Sequence, residues 1–138
     1  MERARVLVAD DHAPSVALWR SLLQPDFEVI ATVETGDELV AAAAQLSPDV
    51  IVSDIVMAGL DGIGAAERIL RNDPAARIVF VTVLADPAMV RRGLRAGALG
   101  YVLKMSAGED LVPAVRAALR GERYVSAMPD ERRAWNAR

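Results

Sequence analysis

Short apolar runs alternate with longer amphipathic segments along the chain. Five of these runs are rich in Val and Ile and have the length of β-strands, and most are apolar throughout rather than at every second position. Continuous apolar runs are typical of strands that helices cover on both faces, as in parallel sheets. The predicted strands comprise residues 5–9, 27–32, 50–53, 78–82 and 100–103.

Helical periodicity and helix-end signals occupy the intervals between the predicted strands. Thr35 and Glu38 form a capping box that opens the second helix. Asp86 and Pro87 open the fourth, which Gly97 is expected to end in a left-handed conformation. The predicted helices lie between residues 14 and 24, 35 and 48, 62 and 72, 86 and 97, and 108 and 120.

The order of the elements predicts the fold class. Strand and helix alternate five times, which indicates right-handed crossovers and a doubly wound α/β domain with a five-stranded parallel sheet and helices on both faces. The fifth helix contains Pro113, which lacks an amide donor, so this helix should start late or bend. Ligands of such sheets bind beyond the carboxyl ends of the strands, which are therefore the expected place for a functional site.

Composition and charge narrow the possible functions. A chain of 138 residues suits one domain, and its 53% hydrophobic content is that of a folded protein. The net charge of −3 lacks the basic excess of a nucleic-acid-binding surface. No apolar run approaches the roughly 18 residues of a membrane helix, and the absence of Cys excludes disulfides and thiolate chemistry. We therefore expect a cytoplasmic protein that binds neither nucleic acid nor membranes directly.

Reactive side chains stand at four of the five predicted strand ends. Asp10 and Asp11 follow the first strand, Asp54 follows the third, Thr82 ends the fourth and Lys104 follows the fifth. Each has an ordinary interpretation alone, because adjacent acids often form a turn or a helix cap, Thr suits strands and Lys suits solvated loops. The carboxyl ends of adjacent parallel strands meet at one edge of the sheet, so the five side chains together predict a site.

The chemistry of this group predicts a phosphoryl-transfer site. Two unit charges 4 Å apart interact by about 4 kcal/mol at an effective dielectric constant near 20, so three carboxylates call for a cation, and all-oxygen ligands suit Mg²⁺. Lys104 and Thr82 would hold phosphoryl oxygens. Asp54 is the best candidate nucleophile because its strand is expected to be central. His12 is interpreted as a surface or capping residue rather than a ligand.

Four segments at these positions resemble a known family. They read VLVADDH, PDVIVSDIVMAGLDG, IVFVTV and AGALGYVLK, in this order along the chain. Together they are similar to the receiver domain of bacterial two-component response regulators of the NarL/FixJ type, over about residues 4–126. The resemblance implies a flavodoxin-like (CheY-like) fold with strand order 2-1-3-4-5. It also implies phosphoryl transfer from a sensor histidine kinase to Asp54.

The same resemblance implies roles for individual residues. Four groups would bind Mg²⁺: the side chains of Asp10, Asp11 and Asp54 and the backbone carbonyl of Val56. The phosphoryl oxygens would contact Thr82, Lys104 and the backbone of Val56 and Val83. Tyr101 matches the family's switch aromatic, which turns inward when Thr82 moves toward the phosphoryl group. Its ordinary interpretation is an amphipathic strand residue with a solvated hydroxyl.

The end of the chain departs from the family pattern. Residues 1–121 are expected to form the receiver domain, and residues 122–138 a tail or the start of a linker. NarL/FixJ-type proteins usually continue into a DNA-binding helix-turn-helix, for which this remainder is too short. We expect either a single-domain regulator or a receiver segment whose full-length protein controls transcription through the missing domain.

Arginines on the fourth and fifth predicted helices indicate a basic surface near Tyr101. The ordinary interpretation is a solvated helix face. The functional one is a docking surface for a partner or for a homodimer that phosphorylation strengthens. The residues concerned are Arg91, Arg92, Arg95, Arg116 and Arg120.

Two alternative functions remain open at this point. An aspartate-nucleophile phosphatase also uses acids and Mg²⁺, but that class resembles an Asp-x-Asp at one strand end, whereas the acids here are adjacent. A degenerate receiver would serve only as an interaction module, independent of phosphorylation. The main expectation is not an enzyme in the metabolic sense, because the domain would catalyse only its own phosphorylation and dephosphorylation.

Overall fold

The computed structural model of the chain describes residues 2–128. Within them, five α-helices cover a six-stranded sheet with the spatial order β2-β1-β3-β4-β5-β6. Every neighbouring pair of strands is parallel. The strands are β1 (Arg5–Ala9), β2 (Glu28–Val33), β3 (Val50–Ser53), β4 (Ile78–Thr82), β5 (Gly100–Leu103) and β6 (Tyr124–Val125). The helices are α1 (Ala13–Leu23), α2 (Gly36–Leu46), α3 (Gly62–Asn72), α4 (Pro87–Arg95) and α5 (Ala107–Leu119).

The predicted α/β class and parallel sheet are confirmed, but the number of strands is wrong. The structure has a sixth strand, β6, on the outer edge of β5, where the sequence predicted a five-stranded sheet of order 2-1-3-4-5. The amide of Tyr124 donates to Leu99 O at 2.9 Å, and the amide of Ser126 donates to Tyr101 O at 2.9 Å. A strand of two residues is too short to leave an apolar run in the sequence, and these tertiary hydrogen bonds define it.

The other strand predictions agree closely with the structure. Four have the predicted bounds, and β2 is displaced by one residue, so that Phe27 precedes it. The apolar runs were informative because β1, β3, β4 and β5 are buried on both faces. The ring of Phe27 is nevertheless buried, so this residue continues the apolar pattern of β2 without belonging to the strand.

Helix ends follow the predicted capping signals. Thr35 Oγ1 accepts the amide of Glu38 at 3.1 Å, and Asp86 Oδ1 accepts the amide of Ala88 at 2.9 Å. Gly97 takes the left-handed conformation with φ +110°. A 3₁₀ turn over Lys104–Ser106 precedes α5, which therefore begins at Ala107 and holds Pro113 inside it.

Two apolar layers enclose the sheet. On one face, α2, α3 and α4 pack against side chains such as Leu7, Ile51 and Phe80. On the other face, α1 and α5 cover residues that include Val8 and Val52. Alternate strand residues thus point into opposite layers, and the carboxyl ends of the strands are left open at one edge. Nowhere in residues 2–128 does a helix have the length and apolar content that a bilayer span requires.

Candidate functional site

The carboxyl edge of the sheet brings the five predicted side chains together. Asp10 follows β1 and Asp54 follows β3, and the amide of Asp54 donates to Ala9 O at 2.9 Å, which ties the two strand ends to each other. Thr82 is the last residue of β4, and Lys104 follows β5 directly. Since the chain leaves β1 toward β2 on one side and returns to β3 on the other, the site lies where strand order reverses.

Three carboxylates form the acidic part of this site. Asp10, Asp11 and Asp54 each offer an oxygen, and these oxygens lie within 4.8 Å of one another. Asp10 and Asp54 are only 1% and 7% exposed, whereas Asp11 is exposed. An all-oxygen, anionic set of this kind fits a hard divalent cation, and an exposed third ligand leaves a route for a hydrated ion to enter.

Lys104 balances the two buried carboxylates. Its Nζ lies 3.0 Å from Asp10 Oδ2 and 3.0 Å from Asp54 Oδ2. Burial alone would lower the pKa of Lys104, but the hydrogen bonds and charges of Asp54 and Asp10 outweigh it and raise that pKa above its ordinary value. The ammonium is therefore charged across the physiological range, within reach of any anion at Asp54.

Backbone amides hold the Asp54 carboxylate in place. Its Oδ1 accepts the amide of Ile55 at 2.7 Å and that of Val56 at 3.3 Å. Its Oδ2 faces Lys104. One oxygen is thus held by the backbone and the other by a side-chain ammonium, so the carboxylate has a fixed orientation.

Asp10 has a donor that the sequence interpretation missed. The amide of His12 donates to Asp10 Oδ1 at 2.9 Å, and the indole Nε1 of Trp19 donates to Asp10 Oδ2 at 3.2 Å. Helical spacing with Leu23 indicates only that Trp19 lies on an apolar face of α1, and nothing in that spacing indicates the direction of its N–H. His12 occupies the N-cap of α1, and its Nδ1 lies 2.7 Å from Ser15 Oγ.

Thr82 lies on the other side of Asp54 and is fully buried. Its Oγ1 accepts the amide of Leu84 at 3.3 Å. The neighbouring residue Val83 is exposed, as is Val56 after Asp54. Both valines therefore lie at the surface beside the carboxylate cluster, where the family resemblance implies phosphoryl contacts.

Tyr101 points inward, and its hydroxyl does not reach solvent. The hydroxyl donates to Leu84 O at 2.6 Å, and the ring meets Phe80 edge to face at a centroid distance of 6.5 Å. A Cβ on Gly93 would come within 3.2 Å of both rings, so glycine allows α4 to pack this closely. Burial, with smaller effects of the Asp86 and Asp54 charges, raises the pKa of Tyr101 to about 12.

Known sequences match this chain over most of its length. A family profile described as the response regulator receiver domain matches residues 6–116. The transcriptional regulatory protein LiaR of Bacillus subtilis (strain 168) is 42% identical over 120 residues, which cover 86% of this chain and 57% of LiaR. The chain thus spans little more than half the length of that relative.

Solved structures show the same fold over nearly the whole chain. A two-component response regulator of the LuxR family from Aurantimonas sp. SI85-9A1 superposes with a TM-score of 0.86 at 32% identity and covers 99% of both chains. The isolated REC domain of RcsB from Salmonella enterica serovar Typhimurium, solved with the phosphomimetic BeF₃⁻, has a TM-score of 0.84 at 27% identity. That alignment covers 96% of this chain and 98% of the other.

Proposed function

This chain belongs to the response regulator receiver domain family, and we propose that Asp54 is its phosphoacceptor, with a sensor histidine kinase as the donor. The observation that carries the proposal is the position of the Asp54 carboxylate, oriented by two backbone amides and faced by the Lys104 ammonium. An interaction module without phosphorylation would not need these groups together, so the degenerate-receiver alternative is not favoured.

The proposed reaction is a transfer between two side chains. A carboxylate oxygen of Asp54 forms a bond to phosphorus, the bond between phosphorus and the donor's imidazole nitrogen breaks, and the electron pair returns to that imidazole. Lys104 then moves from the carboxylates to the new phosphoryl oxygens, and the Thr82 hydroxyl donates to one of them. The backbone of Val56 and Val83, two exposed residues that follow Asp54 and Thr82, would offer further contacts to the phosphoryl oxygens.

The acidic cluster would hold Mg²⁺. Asp11 and Asp54 are the proposed side-chain ligands, the backbone carbonyl of Val56 is a third, and Asp10 takes part at least through water. When bound, the cation neutralises charge on the transferring phosphoryl group and on the carboxylates around it.

Leu84 would transmit the effect of phosphorylation from Thr82 to Tyr101. The amide of Leu84 donates to Thr82 Oγ1, and its carbonyl accepts the hydroxyl of Tyr101. One backbone unit therefore links the phosphoryl-contacting hydroxyl to the buried tyrosine. A shift of Thr82 toward a phosphoryl group favours one of two positions of this loop and of Tyr101, which alters the surface of α4 and β5.

We also propose a role in transcription. LiaR, of which this chain would cover 57%, is by its name a transcriptional regulator. We propose that residues 1–121, completed by β6 at Tyr124–Val125, act as the receiver, that the residues after β6 lead toward an output partner, and that the protein regulates transcription in this way. The domain acts only on its own phosphoryl group.

Intact-mass spectrometry tests the phosphoacceptor directly. Incubation with acetyl phosphate and MgCl₂ should add one phosphoryl group to the wild type and none to Asp54→Asn. Asp37→Asn, a change of an exposed carboxylate in α2, is the matched control and should still be phosphorylated. Equal labelling of Asp54→Asn and wild type would reject Asp54, and steady turnover of a small phosphoester would revive the phosphatase alternative.

A further inference from the structure

Trp19 combines a buried ring with a polar atom directed at the functional site. It lies on α1, is 2% exposed and packs in the same apolar layer as Leu23, one helical turn further along. Apolar packing explains why the ring is buried. It does not require the indole N–H to point toward a carboxylate, yet Nε1 lies 3.2 Å from Asp10 Oδ2.

Three donors from different parts of the fold meet at the Asp10 carboxylate. They are the amide of His12 on Oδ1, the indole of Trp19 on Oδ2 and the ammonium of Lys104 on Oδ2. An ionised carboxylate has about four acceptor directions, so both directions on Oδ2 are taken and one remains on Oδ1. The three donors thus determine which oxygen of Asp10 is available to the acidic cluster.

The donors differ in whether they would remain hydrogen-bonded to Asp10 after phosphoryl transfer. Lys104 is shared with Asp54, and in the proposed function it turns toward the phosphoryl oxygens. Among the residues described, Trp19 would then be the only side chain that donates to Asp10 Oδ2. Because its ring is enclosed by the core, the indole cannot follow the phosphoryl group, and it keeps the carboxylate in one orientation.

We infer that Trp19 is a positioning residue for the cation site, which keeps Asp10 in one orientation so that a carboxylate oxygen remains available beside Asp11 and Asp54. This inference rests on the proposed Mg²⁺ site. Outer partners of this kind fix the orientation of metal-binding carboxylates, and their loss typically weakens metal affinity by about 10- to 100-fold. The indole is uncharged and its bond is long, so the lower end of that range is expected here.

The test compares two substitutions in the same apolar layer. Trp19→Phe keeps an aromatic ring but removes the N–H, and it should weaken Mg²⁺ binding about tenfold in calorimetric titration with MgCl₂. Leu23→Val is the matched control: Leu23 is fully buried on the same helix, and no hydrogen bond joins it to Asp10. It should lower the unfolding midpoint in urea and leave the Mg²⁺ dissociation constant unchanged.

NMR spectroscopy tests the hydrogen bond between Trp19 and Asp10 in protein that keeps both side chains. In a Trp135→Phe background the indole ¹H–¹⁵N signal belongs to Trp19 alone, and it should shift both on addition of MgCl₂ and in Asp10→Asn. Unchanged affinity in Trp19→Phe, or an equal loss in Leu23→Val, would overturn the inference. Wild-type protein that binds no Mg²⁺ would instead overturn the proposed metal site, and the inference with it.

Discussion

At the scale of single residues, the site is a balance of three carboxylates against one ammonium. Lys104 bridges Asp10 and Asp54, both nearly buried, and Asp11 remains in solvent. Breaking a buried ion pair by removing one partner is costly because it leaves an uncompensated charge. The cluster is therefore stabilised by an internal cation rather than by neutral packing, and in the proposed function this cation turns toward the phosphoryl group.

Tyr101 gives a prediction about stability at high pH. Its pKa is raised from 10.0 to about 12 in the folded state, chiefly by burial. Between these values the folded protein keeps a proton that the unfolded chain releases, so stability is full below pH 10 and falls as pH rises toward 12. The full loss is about 3 kcal/mol, from about 1.4 kcal/mol for each of roughly two pKa units. Tyr101→Phe should show a shallower alkaline decline.

Urea denaturation at several pH values measures this difference, and phenolate absorbance of the wild type locates the titration itself. The raised pKa of Lys104 contributes a decline of the same sign in both proteins, so only the difference between them reports on Tyr101. Identical pH profiles of the two proteins would contradict the buried, protonated phenol.

The sequence alone predicts which side chains meet at the carboxyl edge of the sheet. Asp10, Asp54, Thr82 and Lys104 could be found because an apolar run shows where a parallel strand stops. The hydrogen bond of Trp19 could not, since periodicity predicts which face of a helix is buried and not where a polar atom on that face points.

At the scale of elements, one acidic side chain contributes two of the hydrogen bonds that hold the segment of β6 in place. Asp110, in the first turn of α5, accepts the hydroxyl of Tyr124 at 2.8 Å and that of Ser126 at 2.7 Å. Ser126 Oγ in turn accepts the amide of Leu103 at 3.2 Å. The strand is thus held by side-chain hydrogen bonds to α5 and β5 in addition to its backbone pairing with β5.

Asp110→Asn should loosen this attachment. The amide accepts at only one oxygen, so one of the two hydroxyl contacts is lost, at a cost of about 1 kcal/mol, or roughly fivefold in local opening. Hydrogen exchange of the Ser126 and Leu103 amides should accelerate by about that factor, while amides of β1 and β3 stay as protected as in the wild type.

The same substitution has a second readout in the phenol of Tyr124. Its pKa is raised mainly by the hydrogen bond to Asp110, so Asp110→Asn should return it toward the ordinary value. Glu109→Gln is the control, because Glu109 acts on Tyr124 only through its charge and should leave exchange at Ser126 unaltered. Unchanged exchange in Asp110→Asn would mean that backbone pairing alone holds β6.

The helices were more predictable than the small strand. Caps such as Thr35 and Asp86 act within a few residues of themselves, so sequence spacing reveals them. The first residue of α5 is harder to predict from the sequence. It is set by the 3₁₀ turn that includes Lys104 and not by the helix's own apolar pattern.

At the scale of the whole molecule, the arginines of α4 and α5 are not equivalent. Arg116 lies 3.3 Å from Asp26, and Arg120 lies 3.2 Å from Glu122, so the basic charge of α5 is largely matched. Arg91, Arg92 and Arg95 are exposed, and within residues 2–128 no carboxylate forms an ion pair with them. The basic surface that the sequence predicted is therefore concentrated on α4, which packs on Tyr101.

This placement leads to a prediction about self-association. A phosphoryl mimic that shifts the positions of Thr82, Leu84 and Tyr101 would act on the elements beneath α4. Weak dimerisation should therefore increase when beryllofluoride and MgCl₂ are added, and sedimentation velocity measures this increase. If α4 takes part through its charge, Arg91→Glu should alter dimerisation and its dependence on salt, because exposed charges are screened over about 10 Å at 0.1 M salt. Arg71→Glu, an exposed change at the end of α3, should behave as wild type. The same monomer with and without the mimic would remove the dimer proposal while leaving Asp54 phosphorylation intact, since the two are measured independently.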